Sequence, residues 1–556
     1  MSFAATLPNP GIAWRLSRYR GLWLGLMTLT AVLVFGRIGD RALWSMEVRW
    51  GQIPREMQRH GDYFTPTING HLYYDKPLGS YWLVLAASAF AGGIDETTAR
   101  LPSALAGLLA VAMLVRIARP LFGDRTALLA GLILATSFSF VGFARTASAD
   151  METVAGELLA LLLYLEGGRR PASWRIFALW LVMALTSLTK GLLGFALPLL
   201  VIGIHASLQE ADGCGWVRRF AERHRWFFHR ATPLAMLLAV AVYFTPFALA
   251  ADGGIADRGL YMVFRENLQR FFNPVNHRGP VYLYAYVIFG LFAPWSVLLP
   301  SALTYRGTEA KRARTFAAAF FWATFLFFTL SASRRSYYLL PLLPAAALLV
   351  ARLLTAESAS RLPRILLKIG FAVVTVAVVG LGMALLPRHW LPGPSDQLPP
   401  APAWPVVVAG WVAAIFGVTA VWRRFDSRRV AVALGGVAAG AMAYLYLIAI
   451  PATEDWRWQR SFAAEVRRET GSEPLALYRT RELVYYLDAP ADLAEFESEA
   501  DLRSAVDTGR VRWLILREVD LPRLTLPSHV VVRAGGFTWD QATNRTLLVR
   551  CETAGR

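Results

Sequence analysis

YYDKPLGSYW, residues 73–82, decides the fold of this 556-residue chain, because an aspartate and a lysine precede an apolar stretch that ends near residue 93. If residues 78–93 cross a membrane, every later loop changes side. Asp75 and Lys76 are expensive to place at the edge of a bilayer, so their position needs an explanation. The distribution of charge along the rest of the chain decides between the two topologies.

The composition is typical of a polytopic membrane protein. Hydrophobic residues make up 55% of the chain and charged residues only 17%, whereas soluble domains carry about 25% charge. Apolar runs long enough to cross a hydrocarbon core of ~30 Å recur from the N-terminus to the region of residue 450. The net charge of +18 lies mainly in short loops between these runs, where topology and lipid headgroups explain it better than nucleic acid does.

The basic loops determine the predicted topology. They lie at 116–125, 166–175, 217–230, 304–314, 358–368 and 422–429. The first apolar run follows three arginines without a cleavage site after it, so we expect an uncleaved first span with a cytoplasmic N-terminus. Cytoplasmic basic loops then require 13 spans, near 21–36, 101–118, 126–144, 152–165, 174–189, 191–208, 232–250, 281–300, 315–331, 337–353, 367–386, 405–421 and 430–450. This assignment excludes a crossing by 78–93, which is predicted to lie along the membrane, or to re-enter it, within a first external loop (38–100).

The pattern changes after residue 450. Short runs such as PLALYR, ELVYYLDA and RVRWLILREV are typical of a small α/β domain. The prediction is therefore a polytopic all-α membrane domain (1–451), with a Pro-rich external connector at 391–405, and a periplasmic α/β domain (452–556). Cys214 and Cys551 fall on opposite sides of the membrane and cannot pair. The sequence contains no Walker loop and no HExxH motif.

The predicted external segments collect ionisable and tyrosine side chains that need a function. These are Glu47, Arg49, Tyr74, Asp75, Lys76, Asp150, Lys190, Arg270, His277, Arg278, Tyr282, Arg334, Arg335, Tyr337 and Tyr338. Fixed positive charge suits a lipid-phosphate leaving group, and a carboxylate suits a base that activates an acceptor hydroxyl or amine. The basic pair at 334–335 lies in a predicted external segment, although basic loops are usually cytoplasmic. This exception favours a bound anion over anchoring to lipid headgroups.

Several of these side chains have ordinary structural alternatives. Arg55 and Glu56 are interpreted as solvent-exposed helix charges. An interfacial position suits five aromatic residues equally well: Tyr73, Tyr74, Trp82, Tyr282 and Tyr284. Lys190 flanks a predicted span and suits a snorkelling side chain. Asp75 and Asp150 are harder to explain structurally, because acids at a membrane edge are seldom topology signals.

Several distinct motifs lie in or beside the predicted external segments. They are MEVRWGQIPREM (46–57), NGHLYYDKPLGSYW (69–82), ARLPSAL (99–105), ASADM (147–151), TKG (189–191), the segment 270–280 and RRSYYLLPLLP (334–344). In combination they resemble the lipid-carrier-dependent glycosyltransferases of the GT-C type, in the protein O-mannosyltransferase superfamily. The architecture also resembles the bacterial aminoarabinose transferases, which act on lipid A. The resemblance covers residues 15–350.

The resemblance implies an inverting sugar transfer from a polyprenyl-phosphate donor, on the periplasmic face of a bacterial inner membrane. The expected acceptor is lipid A, lipopolysaccharide or another glycolipid; a protein O-glycosyltransferase and a non-enzymatic lipid-linked-sugar binder or flippase are the alternatives. It implies that Lys76 meets the donor phosphate. We assign five further basic side chains of the predicted external segments to the same phosphate: Lys190, His277, Arg278, Arg334 and Arg335. Substrate contacts are expected from Arg49, Tyr74, Arg270, Tyr282, Tyr337 and Tyr338. The resemblance implies no definite cofactor. We assign no metal ligands, and whether the reaction uses a divalent metal is left open.

One position departs from the family pattern. The acid that heads the family's first-loop pair is replaced by Met46, whose thioether cannot accept a proton. Glu47 is adjacent, but one helical step turns a side chain by about 100°. Three hypotheses stay open. Glu47 acts after a shift of its helix, Asp75 or Asp150 acts as the base, or the protein binds its donor without turnover.

Overall fold

The computed structural model describes residues 19–74, 76–210, 216–250, 261, 265, 269–272, 279–357, 360–384, 427–481, 483–524, 528–534 and 545–552. Two compact units divide the chain. The unit that we call the helical unit contains 1–36, 75–80 and 102–448, and the unit that we call the mixed unit contains 37–74, 81–101 and 449–556. Most of the predicted external loop therefore shares a unit with the C-terminal residues. The chain-order domains, 1–451 and 452–556, stay a prediction.

Most of the described residues are helical. The helices are α1 (Arg20–Phe35), α2 (Val48–His60), α3 (Gly79–Ala91), α4 (Glu96–Ala135), α5 (Phe138–Ala144), α6 (Asp150–Gly167), α7 (Ser173–Lys190), α8 (Leu193–Ser207), α9 (Trp216–Arg223), α10 (Thr232–Leu249), α11 (Arg270–Phe272), α12 (Leu283–Leu291), α13 (Leu299–Thr304), α14 (Lys311–Leu330), α15 (Leu343–Thr355), α16 (Arg361–Ala384), α17 (Ser427–Tyr444), α18 (Gln459–Thr470), α19 (Val484–Leu487) and α20 (Glu499–Asp507). The strands are β1 (Thr67–Ile68), β2 (His71–Leu72), β3 (Leu475–Tyr478), β4 (Ala494–Phe496), β5 (Trp513–Arg517), β6 (Ser528–Arg533) and β7 (Thr546–Cys551).

The described residues include five helical stretches that are long and apolar enough to cross a membrane. They are Glu96–Ala135, Thr232–Leu249, Lys311–Leu330, Ser336–Thr355 and Ala431–Thr470. Shorter apolar helices occur at Arg20–Phe35, Gly79–Ala91, Leu193–Ser207 and Trp295–Thr304. The protein is therefore a membrane protein, as its composition predicts.

Helix α4 contains the predicted span 101–118 and the first part of the predicted span 126–144, whose remainder lies mainly in α5. Gly123 interrupts the helical geometry of α4 at φ 83°, a backbone conformation that glycine adopts without a Cβ clash. The interruption lies in the basic loop between the predicted spans 101–118 and 126–144. Helix α3 has 13 residues and measures about 20 Å, short of a ~30 Å hydrocarbon core. Because α1 and α8, both predicted spans, have only 16 and 15 residues, the membrane-parallel placement of 78–93 stays a prediction. The predicted span 405–421 lies outside the described residues, so the count of 13 stays a prediction.

Small residues bring α6, α7 and α8 close together. A Cβ added to Gly156 of α6 would overlap the Thr186 side chain of α7. A Cβ on Gly194 of α8 would lie 2.5 Å from the Ser187 backbone nitrogen. Small residues at helix contacts allow the close backbone approach that stabilises helix pairs in membranes. Helices α6 and α7 pack side by side, with the first residue of α6, Asp150, next to the last residue of α7, Lys190.

The mixed unit contains a buried carboxylate that organises the first loop. Glu56 is fully buried and accepts hydrogen bonds from the Thr67 hydroxyl at 2.6 Å and the Asn69 N–H at 2.6 Å. Asn69 and Gly70 both have positive φ, 53° and 74°, as a two-residue hairpin loop between β1 and β2 requires. The interpretation of Glu56 as a solvent-exposed charge is wrong, because its partners are loop atoms more than ten residues away.

A five-stranded sheet occupies the C-terminal part of the mixed unit, in the order β4-β3-β5-β7-β6. Strand β3 pairs in parallel with β4 and β5, and β7 pairs antiparallel with β5 and β6. Helix α20 packs Leu502, Ala505 and Val506 into a core shared with Leu514 and Val549. Consecutive positions are buried in β3 and β5, as expected for inner strands formed by short continuous apolar runs.

Candidate functional site

Asp150 and Lys190 form a buried ion pair in the helical unit. Asp150 begins α6, Lys190 ends α7, and the lysine Nζ donates to Asp150 Oδ1. Only 9% of the aspartate side chain and 13% of the lysine side chain are exposed. A buried pair is costly to assemble, so its presence next to a predicted span end favours a functional role.

Two tyrosines cover this pair. The Lys190 Nζ lies 5.7 Å from the ring centre of Tyr337 and 5.5 Å from that of Tyr338, within the range of cation–π attraction. Arg335 donates from Nη1 to the Tyr337 hydroxyl at 2.9 Å. We call Asp150, Lys190, Arg335, Tyr337 and Tyr338 the Lys190 cluster. It combines two cations, one acid and two phenols from three separate segments.

The segment that carries Lys76 packs beside the Lys190 turn. A Cβ added to Gly79 would lie 2.6 Å from the carbonyl oxygen of Leu188, so only glycine fits at this approach. Lys76 is half-buried and lies three residues before Gly79, while Leu188 lies two residues before Lys190. The backbone segments of the two lysines are therefore neighbours. Asp75 lies outside the described residues.

Arg334 faces backbone rather than the Lys190 cluster. Its Nη1 donates to the Gly279 carbonyl at 2.6 Å and its Nη2 to the Thr329 carbonyl at 2.9 Å. These bonds join the segment before α12 to the end of α14. Tyr282 is 65% exposed, and Arg270 begins the short helix α11. The predicted phosphate ligands His277 and Arg278 lie outside the described residues.

Two further buried acids, Glu152 and Glu157, follow Asp150 in α6, and the sequence analysis missed both. Glu152 is buried and accepts a bond from the Ser103 hydroxyl at 3.3 Å. Glu157 is 1% exposed, and neither carboxylate oxygen has a hydrogen-bond partner among the described residues. Asp150 and Glu157 are seven residues apart, nearly two helical turns, so they share a face of α6. The position of Glu152 and Glu157 within an apolar stretch was the sequence signal that could have identified them, because acids in such a stretch are rare and tend to be functional.

Glu47 lies in the mixed unit, within a network of arginines. Its two oxygens accept from Arg100 at 2.9 and 3.0 Å, and Arg457 Nη1 lies 3.4 Å away. Glu47 and Arg100 are both buried. Burial, together with the neighbouring Arg457 charge, lowers the pKa of Arg41 to about 10. Because both oxygens of Glu47 are paired with arginines, Glu47 acts as a base only if these ion pairs rearrange.

The predicted contacts Arg49 and Tyr74 hold the first loop together. Arg49 donates to the Tyr73 hydroxyl at 3.0 Å, and its guanidinium lies 4.3 Å from the Trp50 ring centre. Tyr74 donates to the Phe64 carbonyl at 2.7 Å, and burial raises the pKa of Tyr74. In the part of the chain that the structure describes, no three His, Cys, Asp or Glu side chains are grouped closely enough to hold a metal ion.

Comparisons with known proteins agree with the motifs. The model of the family described as dolichyl-phosphate-mannose-protein mannosyltransferase matches residues 45–252. An uncharacterized protein of Aquifex aeolicus is 28% identical over 363 residues, which cover 64% of this chain and 69% of the relative. The undecaprenyl phosphate-alpha-4-amino-4-deoxy-L-arabinose arabinosyl transferase of Pseudomonas aeruginosa is 30% identical over 376 residues. The Pectobacterium atrosepticum protein of the same name is 30% identical over 385 residues.

The matched segments cover 65% of this chain and 65% of the Pseudomonas protein, and 66% of this chain and 66% of the Pectobacterium protein. Among solved structures, ArnT from Cupriavidus metallidurans bound to undecaprenyl phosphate has a TM-score of 0.71 and 23% sequence identity. That match covers 96% of this chain and 98% of ArnT, so the fold is shared. The resemblance to the GT-C glycosyltransferases that the motifs indicate is confirmed.

Proposed function

We propose that this chain, a relative of the lipid-carrier-dependent glycosyltransferases, is an inverting glycosyltransferase that uses an undecaprenyl-phosphate sugar. The acceptor that we propose is lipid A or another lipopolysaccharide component. The observation that carries the proposal is the buried Asp150–Lys190 pair under two tyrosines. This pair lies in a chain 30% identical to transferases named for an undecaprenyl-phosphate donor.

The Lys190 cluster has the chemistry that the leaving group needs. When the bond between the anomeric carbon and the phosphate oxygen breaks, negative charge accumulates on the lipid phosphate. Lys190 and Arg335 supply fixed positive charge there, in a buried site where such charge acts strongly. Lys76 is assigned to the same phosphate, because its segment packs beside the Lys190 turn.

Asp150 is assigned as the base. The acceptor oxygen attacks the anomeric carbon from the face opposite the phosphate, and its proton passes to the carboxylate, so a single displacement inverts the configuration. The donor phosphate competes with Asp150 for Lys190. As Lys190 turns toward the phosphate, Asp150 loses its counter-ion and becomes a stronger base, which links donor binding to acceptor activation.

The remaining assignments complete the proposal. His277, Arg278 and Arg334 are further candidates for the donor phosphate, and Arg49, Tyr74, Arg270 and Tyr282 for the sugar or the acceptor. We place the site on the periplasmic face of a bacterial inner membrane, in a chain of 13 spans. The C-terminal sheet then forms a periplasmic α/β domain.

Protein is the second candidate acceptor. The family model that matches residues 45–252 describes protein mannosyltransferases. A protein hydroxyl presents the same nucleophile to the anomeric carbon as a glycolipid hydroxyl, so the Lys190 cluster serves both reactions. The two acceptors are separated by supplying each one to the purified protein.

The test is turnover by the purified full-length protein in lipid nanodiscs. With undecaprenyl phosphate-aminoarabinose as the first donor tried, free undecaprenyl phosphate should accumulate when lipid A is present and not when a Ser/Thr peptide replaces it. Lys76→Ala should abolish this release without lowering the melting temperature. Lys368→Ala, on an exposed lysine, is the matched control. In a parallel assay with sealed proteoliposomes, donor movement across the bilayer without consumption would refute the enzyme in favour of a flippase.

A further inference from the structure

A cavity of about 180 Å³ lies away from the Lys190 cluster, among α13, α14 and α15. Three arginines and two aromatic residues contribute to its lining: Tyr305, Arg306, Arg314, Trp322 and Arg352. None of them belongs to the proposed transfer site. The cavity lies where α14 begins and α15 ends, at one end of two membrane-crossing stretches.

The cavity carries excess positive charge. Arg352 is 5% exposed and its guanidinium forms two bonds with Glu309, at 3.1 and 3.0 Å. The Phe122 ring centre lies 5.3 Å from the same guanidinium. The charge of Glu309 is thereby neutralised, and Arg306 and Arg314, both exposed, retain two positive charges. A phosphate is the anion that arginine forks bind best.

An apolar stripe leads from this charge toward the membrane interior. Arg314, Ala318 and Trp322 stand four residues apart, so they share one face of α14. Trp322 lies about 12 Å along the helix from Arg314 and is 46% exposed. Leu303, 39% exposed, lines the cavity beside it. The order is therefore cation, small residue, then large apolar surface.

We propose that this cavity binds an anionic phospholipid of the surrounding bilayer, with its phosphate between Arg306 and Arg314. One acyl chain lies over Ala318 and against Trp322. A free phosphate ion would satisfy the arginines but leave the apolar stripe uncovered, so the membrane lipid is the better occupant. Because 304–314 is a predicted cytoplasmic loop, the lipid belongs to the leaflet opposite the proposed donor site.

The test measures lipid retention by native mass spectrometry of the full-length protein, extracted from nanodiscs that mix phosphatidylglycerol with phosphatidylcholine. The double variant Arg306→Gln, Arg314→Gln should bind phosphatidylglycerol about 30-fold more weakly, since each arginine near the membrane surface contributes about fivefold. The control is Arg218→Gln, Arg219→Gln, which removes the same charge from exposed positions of α9. Retention by the control should equal that of the parent protein.

A second variant tests the stripe without changing charge. Ala318→Trp fills the groove at an exposed position and should also reduce phosphatidylglycerol retention, with an unchanged melting temperature. Inorganic phosphate should not displace the lipid. Equal loss in the α9 control, undiminished retention in either cavity variant, or displacement by inorganic phosphate would each overturn the proposal.

Discussion

Replacing Lys190 by methionine removes a charge while keeping most of the side-chain length. Asp150, with 9% of its side chain exposed, then keeps a buried charge without its counter-ion. Breaking a buried pair in this way costs about 3–5 kcal/mol of stability. Asp150→Asn should cost a similar amount, whereas the double variant should be less destabilised than the sum, because no buried charge remains.

The expected loss of activity follows from the charge. A unit charge about 4 Å from a phosphate oxygen contributes about 4 kcal/mol at an effective dielectric constant of about 20. Lys190 gives up part of its interaction with Asp150 to reach the phosphate, so the net contribution is smaller. We expect Lys190→Met to lower kcat/KM by a factor of about 10² to 10³, where each factor of ten is about 1.4 kcal/mol.

Thermal melting and initial rates on the same preparations separate the two effects. The double variant should regain stability but not turnover. Arg175→Met is the matched control, because it breaks the pair with Glu166 at the other end of α6 and α7 and should leave kcat/KM unchanged. If turnover returns together with stability in the double variant, the pair serves only the fold, and the assignments of Lys190 to the phosphate and of Asp150 as the base are both refuted.

Three further predictions concern stability and topology. Arg100→Lys should lower the free energy of unfolding by about 2–4 kcal/mol, because an ammonium cannot keep both bonds to Glu47 and those to the loop carbonyls; a change below about 1 kcal/mol in denaturation would contradict the network. Glu157→Leu should raise the melting temperature by removing a buried carboxyl without partners among the described residues, and a lower value would indicate a functional partner. A reporter fused after residue 122 should be cytoplasmic, and a periplasmic signal would mean that 78–93 crosses the membrane.

Pairing between distant charges was the part of the site that could not be predicted. Glu47 meets Arg100 across 53 positions, and Lys190 meets Asp150 across 40. From the sequence, Glu47 and Asp150 were equally good candidates for catalysis, because composition and spacing identify the side chains but not their partners in the folded chain. Arg334 shows the same difficulty, because its guanidinium is taken by two backbone carbonyls that no local pattern indicates.

The sequence by itself determined that this chain is a membrane protein and that its motifs resemble those of the GT-C glycosyltransferases. Hydropathy and loop charge are properties of the local sequence, so membrane segments can be inferred from them without coordinates. Only the tertiary structure decided that Glu56 is buried, that Glu47 is tied to arginines and that Asp150 and Lys190 are paired beneath Tyr337 and Tyr338. Burial and ion pairing depend on which distant segments pack together, and that is a property of the folded chain.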